Sequence, residues 1–145
     1  MNLYYCHNCI LNNNNRECDK FSDKAVDTYK IISDNYSNVN FDVNLLSSYL
    51  GLSRSYVNEL CVTNFEVPPR DLIKKIRLEN ALYILINTNL SIQKIAKKVG
   101  YLPRQLHYTF KNYFKLKPYE VKKYLLNSNN FNFFIEELVF ELWNG

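Results

Sequence analysis

"LLSSYLGLSRSYVNELCVTNF" (Leu45–Phe65) and "IQKIAKKVGYLPRQLHYTF" (Ile92–Phe110) lay down one skeleton twice. Shifted by 49 residues, the first copy lies on the second without a gap: Leu46 on Ile95, Leu50 on Val99, Gly51 on Gly100 and Val57 on Leu106. The match continues with Cys61 on Phe110, Phe65 on Phe114, Val67 on Leu116 and Pro69 on Pro118. A fixed offset that keeps apolar positions, a glycine and a proline marks two copies of one supersecondary unit. In each copy a short amphipathic helix ends at the glycine, a few residues turn the chain, and a second helix begins. Glycine suits the turn because it takes positive φ at little cost and stops the first helix sharply.

Helical spacing puts Val57, Leu60 and Cys61 on the inner face of one second helix, and Leu106, Phe110, Tyr113 and Phe114 on that of the other. The outward residues are then Arg54, Ser55, Asn58 and Glu59 in the first copy, and Arg104, Gln105, His107, Tyr108 and Lys111 in the second. A helix-turn-helix offers such a face to the DNA major groove, where arginine pairs with guanine edges and asparagine or glutamine with adenine. Glu59 has two readings: it can accept from a cytosine amine, yet beside a phosphate it would repel.

Between the copies, "PPRDLIKKIRLENALYILINTN" sets Leu72, Ile73, Ile76, Leu78, Ala81, Leu82, Leu85 and Ile86 along one long helix starting near Pro69, where proline's missing N–H has no intrahelical partner to lose. Such a helix is expected to hold the two units apart at a fixed distance. Recognition helices about 34 Å apart reach successive major grooves on one face of a duplex. One chain can thus do what a symmetric dimer usually does, on an asymmetric target.

Charge supports a polyanionic partner. Before Pro69 five basic residues face eight acidic ones, whereas Pro69 to Leu125 holds thirteen basic against three acidic, a local net charge of +10 in a chain of only +4. Three glycines and four prolines are too few for a many-turned β fold, so an all-α chain is expected. No run of about 18 apolar residues is present, and "MNLYYCHNC" lacks the basic and apolar regions of a secretory signal. The expected place is the cytosol, on its DNA and away from any membrane.

These residues resemble the DNA-binding domain of the AraC/XylS family of bacterial transcription regulators over roughly Val43 to Tyr124. Arg77, Leu78, Ala81, Leu85, Ser91, Ile92, Ile95, Ala96, Val99, Gly100, Tyr101, Phe110, Phe114 and Pro118 all fall where that family places such residues. The resemblance implies a two-lobed, seven-helix fold like that of short stand-alone members, and a regulator, more often an activator touching RNA polymerase than a repressor, with no catalytic residues. It also implies base contacts by Arg54, Ser55, Asn58 and Glu59 in the first lobe, and by Arg104, Gln105, His107 and Tyr108 in the second. The implied phosphate contacts are the helix starts near Ser91 and Pro69 with Lys94, Lys98, Lys111 and Lys122, because helix N-termini and lysines attract anions without reading sequence. Three departures stand out. "GYLPRQL" is one residue shorter than the family's usual turn and starts the helix at Pro103. Glu66 and Lys115 replace glycine after each recognition helix, where a left-handed conformation costs about 1 kcal/mol, so the alternative is a reshaped turn. Cys61 replaces phenylalanine and predicts a thinner first core.

The expected organisation is a flexible leader over 1–22, a first helix-turn-helix lobe over 23–68, a linker helix over 69–88, a second lobe over 89–128 and an amphipathic C-terminal helix over 129–145. Apolar Ala25, Val26, Tyr29, Ile32 and Tyr36 predict a helix that completes the first core. In the leader, Cys6, His7, Cys9 and Cys18 are candidate zinc ligands, since thiolate and imidazole are zinc's preferred donors; unligated or redox-active thiols are the other readings. No other cofactor is expected. In the tail, Phe131, Phe134, Ile135, Leu138, Leu142 and Trp143 form a stripe opposite Glu136, Glu137 and Glu141, too apolar to face water alone. It either packs on its own domain or, through residues 131–145, makes a homodimer or captures a protein partner. The latter reading makes the chain an interaction protein with only non-specific DNA binding.

Overall fold

The computed structural model describes residues 21–127 and 131–144. Among these, eight α-helices and no strand are found. Helix α1 spans Asp23–Asn35, α2 Val43–Leu50, α3 Arg54–Phe65, α4 Pro69–Asn87, α5 Ile92–Lys98, α6 Pro103–Phe114, α7 Pro118–Asn127 and α8 Phe131–Asn144. None of them is long and apolar enough to cross a membrane.

The repeat extends to the caps. Asp42 starts α2 by accepting the Leu45 N–H at 3.0 Å, and Ser91 starts α5 by accepting the Lys94 N–H at 3.4 Å. Each side-chain oxygen satisfies a donor that the first helical turn leaves without a partner. Gly51 and Gly100 close these helices with φ of 65° and 79°. The recognition helices α3 and α6 then start three residues past their glycines, so the second turn is no shorter than the first. They end on Glu66 and Lys115 at φ 61° and 59°, with the cap N–H bonded to Val62 O and Lys111 O. The chain keeps the left-handed turn in both copies, at the cost expected for a side chain there.

One apolar core runs from Phe21 to Trp143. In the first lobe Phe21 stacks on Phe65 at 5.4 Å and Tyr29 lies 5.7 Å from the same ring. Phe21 and Ser22, assigned to the leader by sequence, thus belong to the lobe: Ser22 caps α1 through the Ala25 N–H, and Phe21 is core. Cys61 is fully buried where the second lobe carries Phe110, and the first lobe draws its aromatic volume from Phe21, Tyr29 and Phe65 instead. Burial pushes the Cys61 thiol up to about 12, so it behaves as a small apolar group. Cys6, His7, Cys9 and Cys18 lie outside the described residues.

Helix α4 does more than hold the lobes apart. Arg77, nine-tenths buried, donates from Nε to Tyr36 O at 2.9 Å, and from Nη2 to Asn38 O at 3.0 Å and Phe41 O at 2.9 Å, all on the first lobe's α1–α2 loop. Its guanidinium also sits 5.4 Å from the centre of the Tyr101 ring, on the second lobe's turn. A Cβ at Gly100 would collide with Tyr36 O and lie 3.1 Å from Arg77 Nε. The two lobes therefore touch, with Arg77 as the fastening between them.

The tail helix α8 packs on α4 and α6. Ile135, Leu138, Val139, Leu142 and Trp143 are buried there, and Trp143 Nε1 donates to buried Glu79 Oε2 at 3.1 Å. Ile135, Leu138, Leu142 and Trp143 of the stripe thus pack on the chain's own helices, the first of the two readings, together with Val139, absent from the stripe as read from sequence. Glu136, Glu137 and Glu141 stay exposed, as does Phe140.

Candidate nucleic-acid interface

Helices α3 and α6 each bury one stripe and expose the other. Val57, Leu60, Cys61 and Phe65 are buried along α3, and Leu106, Phe110 and Phe114 along α6. All eight expected base-reading side chains are exposed: Arg54, Ser55, Asn58 and Glu59 on α3, and Arg104, Gln105, His107 and Tyr108 on α6. Burial of the inner stripe fixes each helix's rotation, so these side chains cannot turn inward without opening the core.

The two helices are started differently. Ser53 precedes α3 and accepts the Tyr56 N–H at 3.2 Å. Leu102, its counterpart before α6, has no side-chain acceptor; Gln105 reaches back instead and accepts the Leu102 N–H through Oε1 at 3.2 Å. That orients the Gln105 carboxamide and leaves its Nε2 free to donate to a base acceptor. Tyr56, at the matching position of α3, is half-open to solvent with Lys24 Nζ 5.2 Å from its ring centre, and sequence periodicity did not single it out.

Of the expected phosphate contacts, Ser91, Lys94, Lys98 and Lys111 are exposed. Lys122 is not wholly free: Nζ donates to Thr88 O at 2.7 Å and approaches Asn89 Oδ1 at 3.5 Å, tying α7 to the loop between α4 and α5. Sequence reasoning counted Arg70, Lys74 and Arg77 in the basic segment without grouping them, although their i, i+4, i+7 spacing on one face of α4 makes a cationic stripe legible from spacing alone. Together with Arg54 they line a cleft between the lobes.

A Helix-turn-helix domain family model matches residues 46–124, from the last turns of α2 through α7. The chain belongs to the AraC-type helix-turn-helix regulators. Over 70 residues it is 43% identical to the raffinose operon transcriptional regulatory protein of Pediococcus pentosaceus, a stretch that covers 48% of this chain and 24% of that one. The C-terminal domain of the two-component response regulator yesN from Fusobacterium nucleatum matches with a TM-score of 0.62 and 30% identity, over 64% of this chain and 91% of that one. The DNA-binding domain of AdpA, solved in complex with a target DNA, shares the fold with a TM-score of 0.68 at 18% identity, over 75% of this chain and 99% of that one. The chain thus carries an AraC-type DNA-binding domain of a transcription regulator, a family and fold of DNA-binding proteins rather than enzymes. It spans about a quarter of the raffinose regulator's length. Helix α8 lies beyond the matched residues, yet it packs on the matched domain.

Proposed function

We propose that this AraC-type domain binds promoter DNA sequence-specifically, with α3 and α6 in successive major grooves. The observation that carries the reading is the repeated unit itself: left-handed turns at matched positions in both copies, opposite burial on each recognition helix, and lobes fastened to each other through Arg77. Arg54, Ser55, Asn58 and Glu59 would face the bases in one groove, and Arg104, Gln105, His107 and Tyr108 in the other. Lys94, Lys98 and Lys111, with the helix start at Ser91, would meet phosphates, and Lys122 would do so with the donor capacity left after its tie to Thr88. At offset 49 the outward residues are unlike: Ser55 against Arg104, Asn58 against His107, Glu59 against Tyr108. The two half-sites must therefore differ. That a domain of the same fold was solved on a target DNA supports the docking mode.

The regulatory direction we assign is activation through RNA polymerase, which rests on the family resemblance and is read by whether the chain raises or lowers transcription from its promoter. The DNA reading is tested by selecting bound duplexes from a random pool and titrating the winners at two salt concentrations. The expected product is an asymmetric motif of two short blocks about one helical turn apart, bound 10³-fold or more above random DNA, roughly the lower end of specific recognition. Salt-sensitive binding with no motif would overturn sequence-specific reading by this chain alone.

A further inference from the structure

Between the lobes lies a half-open cleft of about 410 Å³ whose charged lining is unbalanced. Arg54 reaches it from the first turn of α3, and Arg70, Lys74 and Arg77 from one face of α4. Gln105 comes from the first turn of α6, while Gly100 and Tyr101 form part of its wall. Asp42 is the sole carboxylate in the lining, and its Oδ1 is already engaged as the cap of α2. Arg77 carries the argument furthest. Nε and Nη2 are consumed by three carbonyls of the α1–α2 loop, whereas Nη1 makes no hydrogen bond with the described residues and is not sealed from solvent. No carboxylate of the described residues pairs with this nine-tenths-buried cation, and burial pulls its pKa down. A buried charge that has dipoles but no counter-ion is costly, and an anion brought to it relieves that cost.

We propose that this interlobe cleft is a phosphate site, formed by Arg70, Lys74 and Nη1 of Arg77, with the base-facing Arg54 at its rim. Its place specifies how it is used. The first turns of both recognition helices line it, so a duplex engaged by α3 and α6 passes over its mouth as it crosses from one major groove to the next. A backbone phosphate there makes α4 a third DNA-contacting element, and this source of the phosphate rests on the groove-binding reading above. A volume of several hundred Å³ also admits a free phosphate ester. Because the ligand chemistry is the same, such an ester competes with DNA.

The test uses the full chain and an Arg70→Gln, Lys74→Gln double variant, which leaves Arg77 and its carbonyl bonds in place. The amide NMR spectrum of the DNA-free protein is titrated with inorganic phosphate against sodium chloride of equal ionic strength. Separately, affinity for a duplex is measured against salt concentration for both proteins. Saturable shifts at the amides of Gly100, Tyr101 and Asn44, lost in the double variant, establish the site for free phosphate. A salt slope lower by about 0.9 for each cation removed, with equal loss on preferred and random duplexes, establishes it for the DNA backbone. An unchanged slope together with no specific shifts overturns the proposal. Wild-type protein that binds no duplex defeats the groove reading alone, and the phosphate titration then decides the cleft. The variant's thermal unfolding, expected to match wild type, shows that any loss is of contacts rather than of fold.

Discussion

Gly51 and Gly100 occupy the same place in two copies of one unit and do different work. Both end a helix with positive φ, but nothing lies within 4 Å of a Cβ at Gly51, while one at Gly100 meets Tyr36 O and Arg77. The first turn is free at its own surface; the second is the plate against which the first lobe's loop is bolted. Two units of similar build are held in one body by residues at which they differ. Arg77 on the linker and the crowded Gly100 in the second turn have no counterparts that serve the first lobe in the same way.

Ways to break that asymmetry follow in order of size. Trp143→Ala removes a fully buried indole and leaves buried Glu79 without that donor; it should cost about 3–5 kcal/mol. Hydrogen exchange should then quicken more in α6 than in α3, and equal quickening would mean that α8 braces no lobe in particular. Next comes the glycine pair. Gly100→Ala combines positive-φ strain with a backbone clash and should cost about 2–4 kcal/mol, whereas Gly51→Ala carries the φ strain only, about 1 kcal/mol. Denaturant midpoints measured side by side check this, and equal losses would remove the interlobe contact from the account. The smallest effect is symmetric: Glu66→Gly and Lys115→Gly relieve the same strain in both copies and should each stabilise by about 0.5–1 kcal/mol.

Much of this was legible in the sequence, because it is written in local periodicity. The helix start at Pro69 and the exposed faces of α3 and α6 follow from spacing within one or two turns, and the family resemblance added the Ser91 cap and the start at Pro103. What escaped depends on distant segments. Arg77 was placed on the linker by family resemblance, but its inward path is set by carbonyls of residues 36, 38 and 41, and a charged residue in a helix ordinarily reads as solvated. Lys75 and Glu79 are buried for the same kind of reason, Glu79 by the arrival of Trp143. The crowding of Gly100 is likewise invisible to a reading that ends at its own turn. At the interface, exposure of the eight base-facing residues was readable, but the capping task of Gln105 and the tie of Lys122 to Thr88 needed coordinates. The cleft went unnoticed because its cations come from two helices, α3 and α4, that only the fold brings together.

In the proposed function one chain presents two unlike readers at a fixed separation. The measurement that tests it most directly is affinity for duplexes carrying the two selected blocks with five base pairs added between them, half a helical turn. A rigid pair cannot keep both helices in their grooves, so affinity should fall toward the random-DNA level, about 10³-fold or more. Unchanged affinity would contradict the account, for it would mean that the lobes move independently or that one of them alone reads the site.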